Sequence, residues 1–380
     1  MLIVILFVFT LFLAYVNGAN DNFKGVATLY GSRTVDYATA IQIATIATFA
    51  GSLCALFFAQ GLVAGFSGKG LVPKEIVGNT HFLLSVGFGA AGTVWLATRW
   101  GFPISTTHSL VGGLLGAGLM AVGLNVNFQR LGGAFFLPLL VSPLIAFTLC
   151  AVVYRIFSHL RRVMGLSKES CLCVGEQRQF VPVRSLVRSN TLPSHQTPPI
   201  ERPGFPEMTL TVADTDDCID LYTDRVLGLP AQRLLDLAHG ASAIMVSFAR
   251  GLNDTPKIAG LLVAAQAFDL RWGMSAIAAG IALGGWLNAR KVAETLSHKI
   301  TELTHGQGFS ANLITGFLVI IASKLGVPVS TTHVSVGSIM GIGMMRGERN
   351  TGMIVRILLS WLITLPVAVG LSAFMYFMLS

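Results

Sequence analysis

The densest hydrogen-bonding chemistry in this chain lies in two short stretches. Pro103-Ile104-Ser105-Thr106-Thr107-His108 returns as Pro328-Val329-Ser330-Thr331-Thr332-His333. Proline disfavours helix in the residue before it and readily opens a new helix. Ser and Thr beside it are good N-cap residues. Each stretch therefore predicts a helix N-terminus, where free N–H groups carry a partial positive charge and hydroxyls add further donors. Such an end suits a tetrahedral oxyanion. The plainer alternative is that the hydroxyls only cap and back-bond within two packed helices. Duplication in matching positions favours a site made of Ser105, Thr106, Thr107, Ser330, Thr331 and Thr332. His108 and His333 end the motifs and either hold the turn or sense protonation.

A second motif is also duplicated: Gly18-Ala19-Asn20-Asp21 returns as Gly251-Leu252-Asn253-Asp254. An Asp within an apolar stretch is costly and usually marks an ion path or proton relay. Amide and carboxylate oxygens suit a hard cation such as sodium. Asn20, Asp21, Asn253 and Asp254 are therefore candidate cation ligands; the alternative is that they cap segment ends near water. Lys24 and Lys257 each follow their Asp by three positions, and such residues are neighbours on a helix. An Asp–Lys pair could stand in for a bound cation, the lysines could face an anion, or both could snorkel to the interface.

The elements that position these residues must lie in a bilayer. Of 380 residues, 53% are hydrophobic and 12% charged, against about 25% charged in a soluble domain. The 41 glycines suit close helix contacts in lipid. The net charge of +8 sits mainly in loops and at segment ends, with no basic stripe interleaved with aromatics, so nucleic acid is not an expected partner. Apolar runs fall at about 2–16, 26–30 with 35–64, 82–98, 109–126, 132–157, 234–249, 258–268, 273–288, 309–325, 334–345 and 353–379. They predict an all-α polytopic protein with about 10–12 membrane segments, some half-length. The first run lacks a basic leader and is followed by polar Asn17 to Asp21, so it reads as a retained helix. The runs flanking each Ser-Thr-Thr-His are short for full spans and suggest hairpins that enter partway and turn back.

Two motifs recurring in one order divide the chain into an N-terminal repeat (1–157), a polar loop (158–230) and a C-terminal repeat (231–380). The loop carries Pro198-Pro199, Arg184, Arg188 and Asp214-Thr215-Asp216-Asp217, and reads as partly disordered. Arg155, Arg161, Arg162 and Lys168 follow an apolar segment directly and place that end on the cytoplasmic side. Arg290, Lys291, Glu294, Lys299 and Glu302 read as a cytoplasmic connector. Cys171, Cys173 and Cys218 lack a second ligand pair at zinc spacing. With no P-loop, dinucleotide fingerprint, G-x-S-x-G or H-E-x-x-H, no enzyme, cofactor or metal is expected.

In these motifs the chain resembles the inorganic phosphate transporter family (PiT), over both hydrophobic halves but not the central loop. The best continuous match runs from about Gly284 to Gly343 and includes Trp286, Arg290-Lys291-Val292, Thr295, Gly308-Phe309 and Ala322-Ser323. The resemblance implies two inverted repeats whose re-entrant helical hairpins meet near the membrane midplane. It implies phosphate held by Ser105, Thr106, Thr107, Ser330, Thr331 and Thr332, with Asn20, Asp21, Asn253 and Asp254 helping to form cation sites. It also implies a homodimer. The chain departs from the family pattern at Lys24 and Lys257, where the usual signature has Asn, and at Thr48, nearest a position that is often Glu. The expected function is phosphate symport driven by sodium or protons, in the plasma (inner) membrane. Its rivals are a sulfate or other oxyanion permease on the same fold, a passive anion channel, and a receptor signalling through the central loop.

Overall fold

The computed structural model describes residues 2–163, 170–176, 208–214, 231–265, 269–298, 305–346 and 351–380. It divides into two compact units, one of residues 1–155 with 238–380 and one of residues 156–237.

The larger unit is helical. Its elements begin with α1 (Leu2–Asp21), a 3-10 turn (Asn22–Gly25), α2 (Ala27–Gly31), α3 (Tyr37–Phe58), α4 (Gln60–Phe66) and α5 (Lys74–Val77). They continue with α6 (Thr80–Arg99), α7 (Thr106–Val122), α8 (Phe128–Arg130) and, after a π-helical stretch, α9 (Leu137–Val163). After the central segment come α10 (Ala231–Ala264), α11 (Leu270–Asn288), α12 (Arg290–His298), α13 (His305–Lys324), α14 (Thr331–Arg346) and α15 (Thr351–Leu379). Among the described residues, seven helical stretches are long and apolar enough to cross a membrane. Two of them are turned mostly outward: only 17% of the Phe128–Ile156 window and 22% of the Ile354–Leu379 window is buried. Leu140, Leu144, Leu362 and Phe377 are among the apolar side chains exposed there. Contiguous apolar surface of this extent is stable against lipid, not water. The chain is an integral, multi-pass membrane protein.

α10 is absent from those seven because Arg250, Asp254 and Lys257 occupy its centre. The apolar runs at 234–249 and 258–268 predict two segments, and the structure joins them in one 34-residue helix that keeps Pro256 inside it. In the first half the corresponding motif does break the helix, at the 3-10 turn after Asp21. The polar, unpartnered appearance of these motifs in sequence hid the fact that the second one stays helical.

Close helix contacts come in pairs that follow the sequence repeat. A Cβ on Gly18 would stand 2.0 Å from the Ile281 carbonyl oxygen of α11, and one on Gly251 would stand 2.1 Å from that of Thr48 in α3. The same pairing holds for Gly284 against Tyr15 (1.8 Å) and Gly51 against Phe248 (2.0 Å). Without hydrophobic gain between helices in lipid, such backbone approach is what holds them. The glycines of the repeated motifs are therefore packing residues.

α6–α7 and α13–α14 are the two hairpins. α6 has 20 residues and α7 17, α13 has 20 and α14 16, or about 24–30 Å at 1.5 Å per residue. α6, α7 and most of α13 meet the length test for spanning, so these arms are longer than the apolar runs suggest. Polar ends explain this: the Asn79 side chain accepts from the His81 and Phe82 N–H groups and starts α6 before its first apolar residue. Both hairpins turn alike. Gly101 (φ 73°) and Gly326 (φ 69°) take the left-handed conformation that glycine adopts without a Cβ penalty. Phe102 N–H donates to Ala97 O and Gly101 N–H to Thr98 O; Val327 donates to Ala322 and Gly326 to Ser323. This is the Schellman helix stop, made twice.

The smaller unit takes in the C-terminal end of α9 and the N-terminal end of α10 and holds two antiparallel strands, β1 (Ser170–Glu176) and β2 (Met208–Asp214), paired from Ser170↔Asp214 to Glu176↔Met208. This ribbon lies within the 158–230 stretch that the sequence presents as a polar, partly disordered loop. Cys171 and Cys173 lie on β1. Lys168, Arg184, Arg188, Pro198-Pro199, Asp216-Asp217 and Cys218, with Lys299 and Glu302 further on, lie outside the described residues.

Candidate functional site

The hairpin turns bring both Ser-Thr-Thr-His stretches against the two Asn-Asp motifs. Ser105 and Ser330 are the N-caps of α7 and α14: each Oγ accepts from the N–H three residues on, His108 and His333, at 3.2 Å in both. The sequence reading of these serines as caps holds; they orient the helix ends. Ser105→Ala and Ser330→Ala should each lower stability by about 1 kcal/mol, while Ser→Asn keeps most of it. Thermal unfolding in detergent measures this, and an unchanged Ser105→Ala melt would show that the cap contributes nothing.

The threonines reach across. Thr106 Oγ1 donates to Asp21 Oδ2 (3.1 Å) and accepts from Asn17 Nδ2 (2.9 Å). Thr107 donates to the Val329 carbonyl (3.3 Å) and Thr332 to the Ile104 carbonyl (2.8 Å), so each hairpin tip bonds the other. Thr331 is buried at the first position of α14.

The lysines follow the same crossed pattern. Lys24 Nζ donates to Asp21, to Thr332, to the Ile104 carbonyl (2.7 Å) and to Asn20 Oδ1 (3.3 Å). Lys257 Nζ donates to the Val329 carbonyl (2.6 Å), to Thr107 (2.8 Å) and to Asp254 Oδ1 (3.4 Å). Lys24 is 3% and Lys257 1% exposed, which rules out snorkelling. The i, i+3 spacing made both Asp–Lys pairs legible beforehand; their bonds to the opposite hairpin were not.

Asn20 and Asn253 chiefly anchor their hairpins. Asn20 donates to Thr98 Oγ1 (3.0 Å) and the Phe102 carbonyl (2.9 Å), and its oxygen accepts from Ile104 N–H (3.2 Å). Asn253 donates to the Val329 carbonyl (3.2 Å) and to Asp254 (3.0 Å), and accepts from Ser323 (3.2 Å). The two histidine rings lie 4.6 Å apart, with His333 stacked on Trp361 at 3.7 Å.

Sequence reasoning missed Arg250. It is fully buried and donates to Asn22 Oδ1 (2.9 Å), Asn17 Oδ1 (3.1 Å) and Thr48 Oγ1 (3.5 Å), with Nε 3.6 Å from Asp254. Asn17, whose amide touches Asp21, Thr106 and Asp254, was missed with it. The signal was present: in the register that aligns Asn20 with Asn253, Asn17 aligns with Arg250. The cluster thus gathers Lys24, Lys257 and Arg250 against Asp21 and Asp254, a formal surplus of one positive charge in the protein interior. Buried charge of this kind persists only when paired or when its partner is a ligand.

Comparison with known proteins gives the family of the chain. Residues 17–372 match the model of the phosphate transporter family. A Thermococcus kodakarensis protein named as a phosphate permease is 31% identical over 96% of this chain and 94% of its own. The chloroplastic inorganic phosphate transporter 2-1 of Arabidopsis thaliana is 28% identical over 96% of this chain and 70% of its own. A solved structure described as the sodium-dependent phosphate transporter superposes with a TM-score of 0.74 at 25% identity, covering 100% of this chain and 98% of that one. The chain belongs to the phosphate transporter family.

Proposed function

We propose that the protein is a secondary active symporter of inorganic phosphate, driven by a sodium or proton gradient. The observation that carries this reading is the surplus buried positive charge where two capped helix N-termini meet. An anion completes that charge balance, and helix ends with hydroxyls are suited to a tetrahedral one. Thr106, Thr107, Thr331 and Thr332 supply the hydroxyls, and Ser105 and Ser330 hold the helix ends in place. Asn20, Asp21, Asn253 and Asp254 form the coupling sites, with either carboxylate available to accept the proton that phosphate, unlike sulfate, partly retains near neutral pH. The paired contacts support two inverted repeats that rock about the site, with the hairpins re-entrant. Coupling then requires that the driving ion favour one access state over the other. The functional unit in the bilayer is a homodimer, as the family resemblance implies.

The test is radiolabelled phosphate uptake into proteoliposomes under a sodium gradient, a proton gradient or none, with excess sulfate as competitor. Gradient-driven uptake that resists sulfate is expected. Asp21→Asn should abolish it, and Thr331→Ala should lower it about tenfold or more, the effect of losing one hydrogen bond to a charged group. Sulfate uptake without phosphate uptake would overturn the substrate, and uptake indifferent to both gradients would make the protein a channel.

A further inference from the structure

Each buried ammonium sits in a cage of oxygens drawn from both repeats. Around Lys24 Nζ these are a carboxylate (Asp21), a hydroxyl of the opposite hairpin (Thr332), a carbonyl of its own hairpin (Ile104) and an amide oxygen (Asn20). Around Lys257 Nζ they are Asp254, Thr107 and the Val329 carbonyl. Carboxylate, hydroxyl and carbonyl oxygens are the ligands a hard monovalent cation takes. An ammonium has three donors and no acceptor, so it can fill such a cage as a cation would.

Each carboxylate oxygen already faces at least one donor of the cluster. Asp21 Oδ2 accepts from Thr106 and Asn17. Asp254 Oδ1 accepts from Asn253 as well as Lys257, and Oδ2 faces Asn17 and Arg250. A dissociable cation entering either cage would also meet three positive side chains against two negative ones.

We propose that Lys24 and Lys257 are tethered cations that occupy the two cation positions of the site, so that the protein moves phosphate without sodium. The proposal rests on the transport reading above and narrows it, leaving the proton as coupling ion. The tether also gives the resident cation a permanent link between the repeats, since each lysine bonds one hairpin through a carbonyl and the other through a threonine.

The experiment compares the full chain in proteoliposomes with sodium and with N-methylglucamine, under a proton gradient. Equal phosphate uptake in the two is expected. Lys24→Asn and Lys257→Asn empty one cage each, and uptake by these variants should rise about tenfold on adding sodium. Radiosodium binding to the purified protein in detergent gives an independent readout: none for the natural chain, and saturable binding for each variant. Sodium-dependent uptake, or saturable sodium binding, by the natural chain overturns the proposal while leaving phosphate transport standing. Should phosphate uptake fail in every gradient, the transport reading falls, and the binding arm still decides whether the lysines exclude sodium. If a variant does not fold, the two measurements on the natural chain decide alone.

Discussion

Arg250→Ala should destabilise the protein by about 3–5 kcal/mol, the cost of breaking a buried charge network by removing one partner. The guanidinium is fully buried, its donors satisfy the oxygens of Asn17 and Asn22, and its charge lies beside Asp254. Alanine leaves two amide oxygens and a carboxylate without that partner, in surroundings that exclude water. Arg250→Lys restores the charge but not the planar fork that reaches both asparagines, so it should fall between the two. Arg250→Met combined with Asp254→Asn removes both charges and should cost less than Arg250→Ala alone. Thermal unfolding in detergent across these variants gives the ranking. An Arg250→Ala protein that melts with the natural one would show that the network carries no net stability. Phosphate uptake by Arg250→Ala, if it folds, should be lost, because the surplus positive charge goes with it.

The second large effect is steric. A Cβ on Gly284 would lie 1.8 Å from the Tyr15 carbonyl oxygen, inside the α1–α11 contact. That oxygen is backbone, so relief requires a helix to move. Gly284→Ala should therefore cost about 1–3 kcal/mol or more in overpacking, despite the better helix propensity of alanine. Gly51→Ala, the equivalent position in the other repeat, should behave alike. Gly65→Ala and Gly370→Ala meet nothing within 4 Å and should be neutral or slightly stabilising. Yield of monodisperse protein and melting temperature report the contrast. A Gly284→Ala protein as stable as Gly370→Ala would mean that the close approach of α1 and α11 is wrong.

The amino-acid sequence by itself determined the membrane location, the helical class, the repeat and most of the cluster residues. The reasons are local: apolar run length sets a span, a proline followed by Ser and Thr sets a helix start, and spacing sets the Asp–Lys pairs. Even the hairpin stops were legible in principle, since Gly101 and Gly326 are followed by an apolar residue and then proline. Tertiary structure decided the rest. Which hairpin each lysine grips depends on how two segments far apart in sequence cross, and no local pattern records that Lys24 bonds Thr332 rather than Thr107. Arg250 is a related case: its alignment with Asn17 is visible in the repeat, but its bonds to Asn17 and Asn22 form only when α1 and the turn after it pack against α10. The continuity of α10 through Asn253, Asp254 and Pro256 was likewise decided by packing. Polar side chains that break a helix at the end of α1 are satisfied inside α10 by partners that only the assembled fold supplies.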